Sequence, residues 1–315
     1  MKEIRIDKTS ENQRFDKFLK KYFKEASSGF LYKMLRKKNI TLNGRKSEGK
    51  EILKDGDVIK VFFSDETFLK MKGELKDEAL DGYLLKDDQN LVILYEDEDI
   101  IAMNKPKNLL SQKSSPKDVS LNEWMLSYLV RKGDCTKESL HIFRPSVMNR
   151  LDRNTTGIVL GAKTLKGAHY LSDVIKDKES PKVYRAICKG KIEEEVLYKD
   201  YLVKDDKENK VMVSHDKIQN SKEIITGIRP LRSNGVVTLV EVKLYTGRTH
   251  QIRAHLSFYH HPVIGDIKYG DSTVNKDFKN RYNISSQMLH SYEVSLPGIG
   301  EIMADMPKEF ERVFQ

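Results

Sequence analysis

Apolar positions along the chain change their period several times, and each change marks an element. Phe15, Phe18, Leu19, Tyr22 and Phe23 recur three and four residues apart, which predicts a helix with one buried stripe. Phe30, Leu31, Met34 and Leu35 repeat the pattern after Ser27-Ser28-Gly29, a break that can cap a second helix. The period then falls to two. Ile40–Leu42 runs into an Asn43-Gly44 turn, and Asp55-Gly56-Asp57 leads into Val58–Val61, so a small hairpin follows the helices. Residues 1–7 also alternate like a strand. From 65 to 90 the chain is rich in Lys, Asp, Glu and Gly and holds no lasting period, as a linker would.

Beyond the linker, 91–95 is a run expected to be a buried strand, and 100–106 is a second strand ending at Pro106. Residues 121–130 predict a helix with Trp124 in the core, 158–162 a short strand, and Leu165, Ala168, Leu171 and Val174 another helix. Lys182–Lys189 alternates as a strand with Lys182 and Tyr184 on one face. Residues 236–246 form a long strand, and Thr249 can cap a helix whose stripe is Ile252, Leu256 and Tyr259. Arg253 sits one position round from that stripe, at the rim of the core. Antiparallel strands with peripheral helices and no regular βα alternation make an α+β fold. The expected division is 1–75 as a small α/β module, 76–90 as linker and 91–315 as a large domain.

Composition narrows the class. Of 315 residues 38% are hydrophobic and 33% charged, and mean hydropathy is -0.58. No run approaches the roughly 20 apolar residues of a membrane span, and residues 1–7 lack a signal-peptide core. Cys135 and Cys188 have no metal spacing, so a reducing cytoplasm is the expected setting. The net charge of +9 favours a polyanionic partner. It is concentrated at the front, where residues 1–75 carry 19 Lys and Arg against 12 Asp and Glu.

Candidate chemistry centres on 149–160. Asp152 stands between Arg150 and Arg153, and neighbouring cations keep a carboxyl ionised. Taken alone, this is either a charged surface turn or a catalytic carboxylate meeting an anionic substrate. A second stretch, Gly247-Arg248-Thr249-His250-Gln251-Ile252-Arg253-Ala254-His255, continues through His261-Pro262-Val263-Ile264-Gly265-Asp266-Ile267-Lys268-Tyr269-Gly270. His250, His255, His260 and His261 suggest a metal, but no cysteine or acidic ligand lies at matching spacing, so no metal is expected. Packing and hydrogen bonding around a cleft suit them better.

Together with Lys182-Val183-Tyr184 and Asn104-Lys105-Pro106, these motifs resemble the RluA-like family of RNA pseudouridine synthases, of the RluC/RluD kind, over most of the chain from Leu91 onward. Three positions depart from the family. Asn149 stands where His is usual before Arg-Leu-Asp, Thr155-Thr156-Gly157 replaces Thr-Ser-Gly, and His260-His261-Pro262 replaces Gly-His-Pro. Arg14-Phe15-Asp16-Lys17-Phe18-Leu19, Asn43-Gly44 and Leu53-Lys54-Asp55-Gly56-Asp57 resemble an S4-type RNA-binding module.

The resemblance implies a pseudouridine synthase fold and a reaction without cofactor. The bond from ribose to the uracil nitrogen breaks, the base turns, and a carbon–carbon bond forms. It implies Asp152 as the catalytic carboxylate, acting on ribose or base or removing a sugar proton. Arg253 would be its buried partner and Tyr184 a catalytic ring that stacks on the uracil and can also act as a base late in the reaction. Arg150 would fill the space left by the flipped base, and Leu289 would pack on the base from the other side. Lys182 would contact substrate. Lys33, Arg36, Lys37 and Lys38 would contact phosphate, their plainer role being a solvated face. Large-subunit (23S) ribosomal RNA is the expected partner, with transfer RNA the alternative, and a monomer without membrane contact is expected. Two other readings stand beside this one. A non-catalytic RNA-binding or ribosome-assembly protein could have kept the fold. A metal-dependent nuclease would need further carboxylates near Asp152, of which Asp266 could approach in space.

Overall fold

The computed structural model describes residues 1–8, 10–73, 80–85, 87–177, 182–205 and 210–315. Its front unit runs β1 (Lys2–Arg5), α1 (Phe15–Tyr22), α2 (Ser28–Arg36), β2 (Ile40–Leu42), β3 (Val58–Val61) and α3 (Asp65–Lys72). The apolar stripes of α1 and α2 meet the three-stranded sheet β1-β3-β2 around Phe15, Phe18, Leu19, Phe23, Ile40, Ile59 and Val61, a core of its own. Ser27 caps α2 as its side chain accepts from the Phe30 amide. Asn43 and Gly44 take the left-handed conformation that a tight hairpin turn requires.

Helix α3 overturns the expectation of an unstructured stretch from residue 65. Ser64 caps it, Asp65 and Glu66 sit in its first turn and Lys70 and Lys72 in its last, all favourable to the helix dipole. Phe68 is its one buried residue, so no apolar stripe announced it. Of the expected linker, residues 76–79 and 86 lie outside the described residues. The rest is docked: the Leu85 amide donates to Ser127, and buried Asp88 accepts from Ser127 and from Arg131 at 2.6 Å.

The large unit begins with β4 (Val92–Glu96), β5 (Ile100–Lys105), α4 (Leu121–Lys132), α5 (Lys137–Ile142), β6 (Ser146–Val147), β7 (Thr156–Ala162) and α6 (Leu165–Lys176). It continues with β8 (Lys182–Lys189), β9 (Val196–Asp205), β10 (Lys210–Ser214), β11 (Lys222–Ser233), β12 (Val237–Leu244) and α7 (Gln251–Phe258). It ends with α8 (Ser272–Tyr282), β13 (Leu289–Leu296), β14 (Gly300–Met303) and α9 (Glu309–Arg312). Among the described residues the strands form one mixed sheet of eleven, with path β10-β9-β11-β12-β8-β13-β7-β5-β4. Pairing is antiparallel except where β13 lies parallel to β7. The fold is α+β, as the mixed periodicity predicts.

Period-two alternation divides the central strands between two cores. Ile101, Met103 and Val159 face one, under Met125 and Leu129 of α4. Ile100, Ala102, Ile158 and Leu160 face the other, under Leu171 of α6. The run 91–95 differs from expectation. It ends the sheet path as β4, and Val92 is 52% exposed, because an edge strand has a neighbour on one side only. The two units meet at a Lys8–Glu98 ion pair, and Ile142 packs against the front core. A cavity of about 780 Å³ lies at this junction, lined by Lys8, Glu98, Asp99, Lys132, Lys163 and Lys166 among others. It shares no lining residue with the cluster around Asp152.

Candidate active site

Asp152 lies in the loop between β6 and β7, and the loop is fastened on both sides of it. Ser111 grips Leu151, its hydroxyl donating to the carbonyl at 3.0 Å and accepting from the amide at 2.9 Å. Lys105, fully buried at the end of β5, donates to the carbonyls of Arg153, Pro106 and Leu109 at 2.8–2.9 Å. Burial depresses the Lys105 ammonium to about 7, against the opposing pull of the Asp152 charge and with a smaller push from Arg153. Asn149 joins the loop to β7: its side-chain oxygen accepts from the Leu160 amide at 2.7 Å, and its amide group donates to the Ile158 carbonyl. The departure from the family's histidine is thus a backbone clasp.

Arg253 comes from α7 and faces two carboxylates. Its Nε and Nη2 donate to Asp266 at 2.7 and 2.8 Å, and its Nη1 donates to Asp152 Oδ2 at 2.6 Å. The side chain is 7% exposed, so it lies inside the core and not at the rim as its helical position suggested. Asp266 is fully buried and also accepts from the Lys268 and Tyr269 amides. Burial pushes its carboxyl up, but Arg253 and the two amides outweigh this and leave it below the ordinary carboxylate value. A Cβ on Gly270 would come within 2.1 Å of the Asp266 carbonyl, so the tight turn that sets Asp266 needs glycine.

The start of α7 also departs from expectation. Thr249 does not cap it. His250 stands at the N-cap with φ +54°, and the Gln251 side chain accepts from the Arg248 amide while donating to Thr226. A longer side chain reaches back where Thr249 cannot.

Tyr184 is buried on β8, and burial pushes its phenol up to about 12, with a Ser291 hydrogen bond opposing and the Asp152 charge reinforcing. Register pairs Tyr184 with Ser291 and Ala186 with Leu289, so Tyr184 and buried Leu289 share one face of the sheet. Strand β13 comes this close because Gly157 of β7 has no side chain: a Cβ there would sit 2.1 Å from the Ser291 carbonyl. Lys182 begins β8 on the Tyr184 side, and burial lowers its ammonium. Arg150 is exposed beside the Asp152 loop. Lys33, Arg36, Lys37 and Lys38 are exposed on and after α2, on the front unit and apart from this cluster.

The four histidines diverge. His255 is buried against Asp200 and Thr226, His261 meets the Lys189 carbonyl, His250 faces Asp152, and His260 is exposed. Sequence reasoning missed the roles of Lys105, Ser111, His250 and Tyr269. Lys105 and Tyr269 were visible as motif members, but Ser111 gave no signal. The assembled site presents one carboxylate held by a cation, a buried neutral phenol and an apolar floor. That arrangement suits holding a flat base against a nucleophile or base.

Residues 99–258 match the model of the RNA pseudouridylate synthase family, half of the chain. The chain belongs to that family. It is 33% identical over 297 residues to an uncharacterised RNA pseudouridine synthase of Mycoplasma genitalium, covering 93% of this chain and 88% of that one. It is 32% identical over 266 residues to ribosomal large subunit pseudouridine synthase C of Rickettsia felis, covering 84% and 83%. In fold it is similar to human RNA pseudouridylate synthase domain containing 1, with TM-score 0.53, 23% identity and coverage of 73% and 89%. This protein is therefore an RNA pseudouridine synthase, an isomerase whose substrate is uridine in RNA. The nuclease and binding-protein readings give way to it. Among the described residues, no helix of the synthase is long and apolar enough to cross a membrane.

Proposed function

We propose that this synthase modifies uridines in large-subunit (23S) ribosomal RNA, with Asp152 as the catalytic carboxylate. One observation carries the choice of carboxylate. Arg253 holds both Asp152 and Asp266, but the Asp266 side chain is fully enclosed whereas that of Asp152 is 27% exposed. Asp152 is the one a substrate can reach, and Asp266 fixes the arginine. Arg253 spends one nitrogen on Asp152 Oδ2 and leaves Oδ1 for the substrate.

The reaction breaks the C1′–N1 bond, joins C1′ to C5, releases the C5 proton to solvent and leaves N1 protonated, so that product and substrate are isomers. Asp152 acts on the ribose or base while the glycosidic bond is open. Tyr184 stays protonated at neutral pH and offers a ring face on which the uracil is retained and turned. Leu289 closes the opposite side, Lys182 contacts the nucleotide, and exposed Arg150 fills the gap left by the flipped base. We take the synthase to act as a monomer in the cytoplasm, a reducing setting that suits its free, buried Cys135 and Cys188. We further assign residues 1–75 to an S4-type module joined by residues 76–90 to the catalytic domain 91–315. Its exposed Lys33, Arg36, Lys37 and Lys38 would contact phosphate.

The names of curated relatives favour ribosomal over transfer RNA. Mapping pseudouridines in total RNA from cells with and without the gene tests this. Sites absent from large-subunit RNA alone are expected. Losses confined to transfer RNA would overturn the substrate assignment.

A further inference from the structure

His250 is held in an unusual way for an ordinary core histidine. Its backbone is left-handed, φ +54° and ψ 15°, a conformation a non-glycine residue keeps only where its surroundings enforce it. Its Nδ1 is 2.9 Å from the Tyr269 hydroxyl, and its Nε2 is 3.9 Å from Asp152 Oδ1, the oxygen that Arg253 does not hold. The Tyr269 hydroxyl also accepts from the Val211 amide at 2.9 Å. Having accepted there, it has its own proton to give to Nδ1. That leaves the ring proton on Nε2, and Nε2 faces a carboxylate, which wants a donor. Both ends of the ring are thus served by the same tautomer. The charges that face the ring come from three segments: Asp152 from its loop, Arg253 from α7, and Asp266 and Lys268 from the turn after α7.

We infer that His250 is a positioning residue for Asp152, held by Tyr269 as the Nε2-protonated tautomer so that it steadies Oδ1 without forming a second salt bridge. This rests on the reading of Asp152 as the catalytic carboxylate. A distance of 3.9 Å is an electrostatic contact, not yet a hydrogen bond. Catalytic contacts of this length in a free enzyme often shorten once substrate is bound. Neutrality matters, since an imidazolium would compete with the substrate for Oδ1. Burial, with Arg253 and Lys268 adding to it and Asp152 opposing, keeps the ring below its ordinary value and so neutral at physiological pH.

The test uses the full-length synthase and RNA carrying tritium at uracil C5. Histidine ¹⁵N spectra should show Nε2 protonated and Nδ1 bare at neutral pH. His250→Ala should lower kcat by roughly 10²-fold, the scale of a small misplacement of a reacting group, with KM little changed. His250→Gln, which restores an N–H donor, should recover part of the loss. It should also lack the acid-side fall in kcat that His250 protonation produces in the unmutated protein. A bare Nε2, or His250→Ala with normal kcat and pH profile, overturns the inference. Asp152→Asn separates the two claims. If it turns over, the catalytic assignment fails and this one with it. If it is dead while His250→Ala is normal, only the role of His250 falls.

Discussion

One guanidinium, that of Arg253, joins two carboxylates, Asp152 and Asp266. Lysine keeps the charge but cannot span both partners, because its ammonium lacks the planar fork. Arg253→Lys should therefore lose most activity in the tritium-release assay, and a near-normal rate would rule out the shared fork. Arg253→Gln goes further and leaves Asp266 charged in an enclosed site, which should cost roughly 3–5 kcal/mol at neutral pH. The sign with pH follows from the lowered Asp266 carboxyl. Its stabilisation is complete above the ordinary carboxylate value and is lost as pH falls through the folded value. Urea denaturation of the two proteins should thus show a gap that narrows in acid. A gap independent of pH would contradict the pairing. At this scale the sequence was partly legible. Asp152 stood out through its flanking cations together with the motif resemblance, and Arg253 through that resemblance, since its helical position alone put it at the rim of the core. Lys105 did not, because lysine is expected at the surface and nothing in the periodicity shows three carbonyls converging on it.

Elements were legible where one face is apolar. Helices α1, α2, α4 and α6 and strands β5 and β8 lie where the periodicity places them. Helix α3 escapes the pattern because only Phe68 is buried, and β4 reads as an interior strand because an apolar run does not reveal its neighbours. The close approach of β13 to β7 was likewise invisible, although it brings Ser291 to Tyr184. Gly157, at φ +104°, makes that approach possible. Gly157→Ala places a Cβ 2.1 Å from the Ser291 carbonyl and should cost at least about 1–3 kcal/mol, with a fall in kcat as Tyr184 shifts. Chemical denaturation and turnover together check this. A variant of unchanged stability would mean that the two strands can part without penalty.

Across the whole molecule, charge and chemistry are separated. The front unit carries its own core and an exposed basic cluster, while the Asp152 site is built wholly from the large unit. Replacing Lys33, Arg36, Lys37 and Lys38 together by serine should weaken RNA binding and flatten its salt dependence, by about 0.9 in log–log slope for each duplex phosphate no longer neutralised. Turnover on saturating RNA should stay normal. An unchanged slope would assign the front unit some other role. The central claim is that a single reachable carboxylate carries the isomerisation. Its most direct test is tritium release from C5-labelled uridine by Asp152→Asn, which keeps the shape of the side chain and removes its charge. The account predicts no detectable release while RNA affinity and folding stability stay close to those of the unmutated synthase; sustained release by the variant would show that another group does the chemistry.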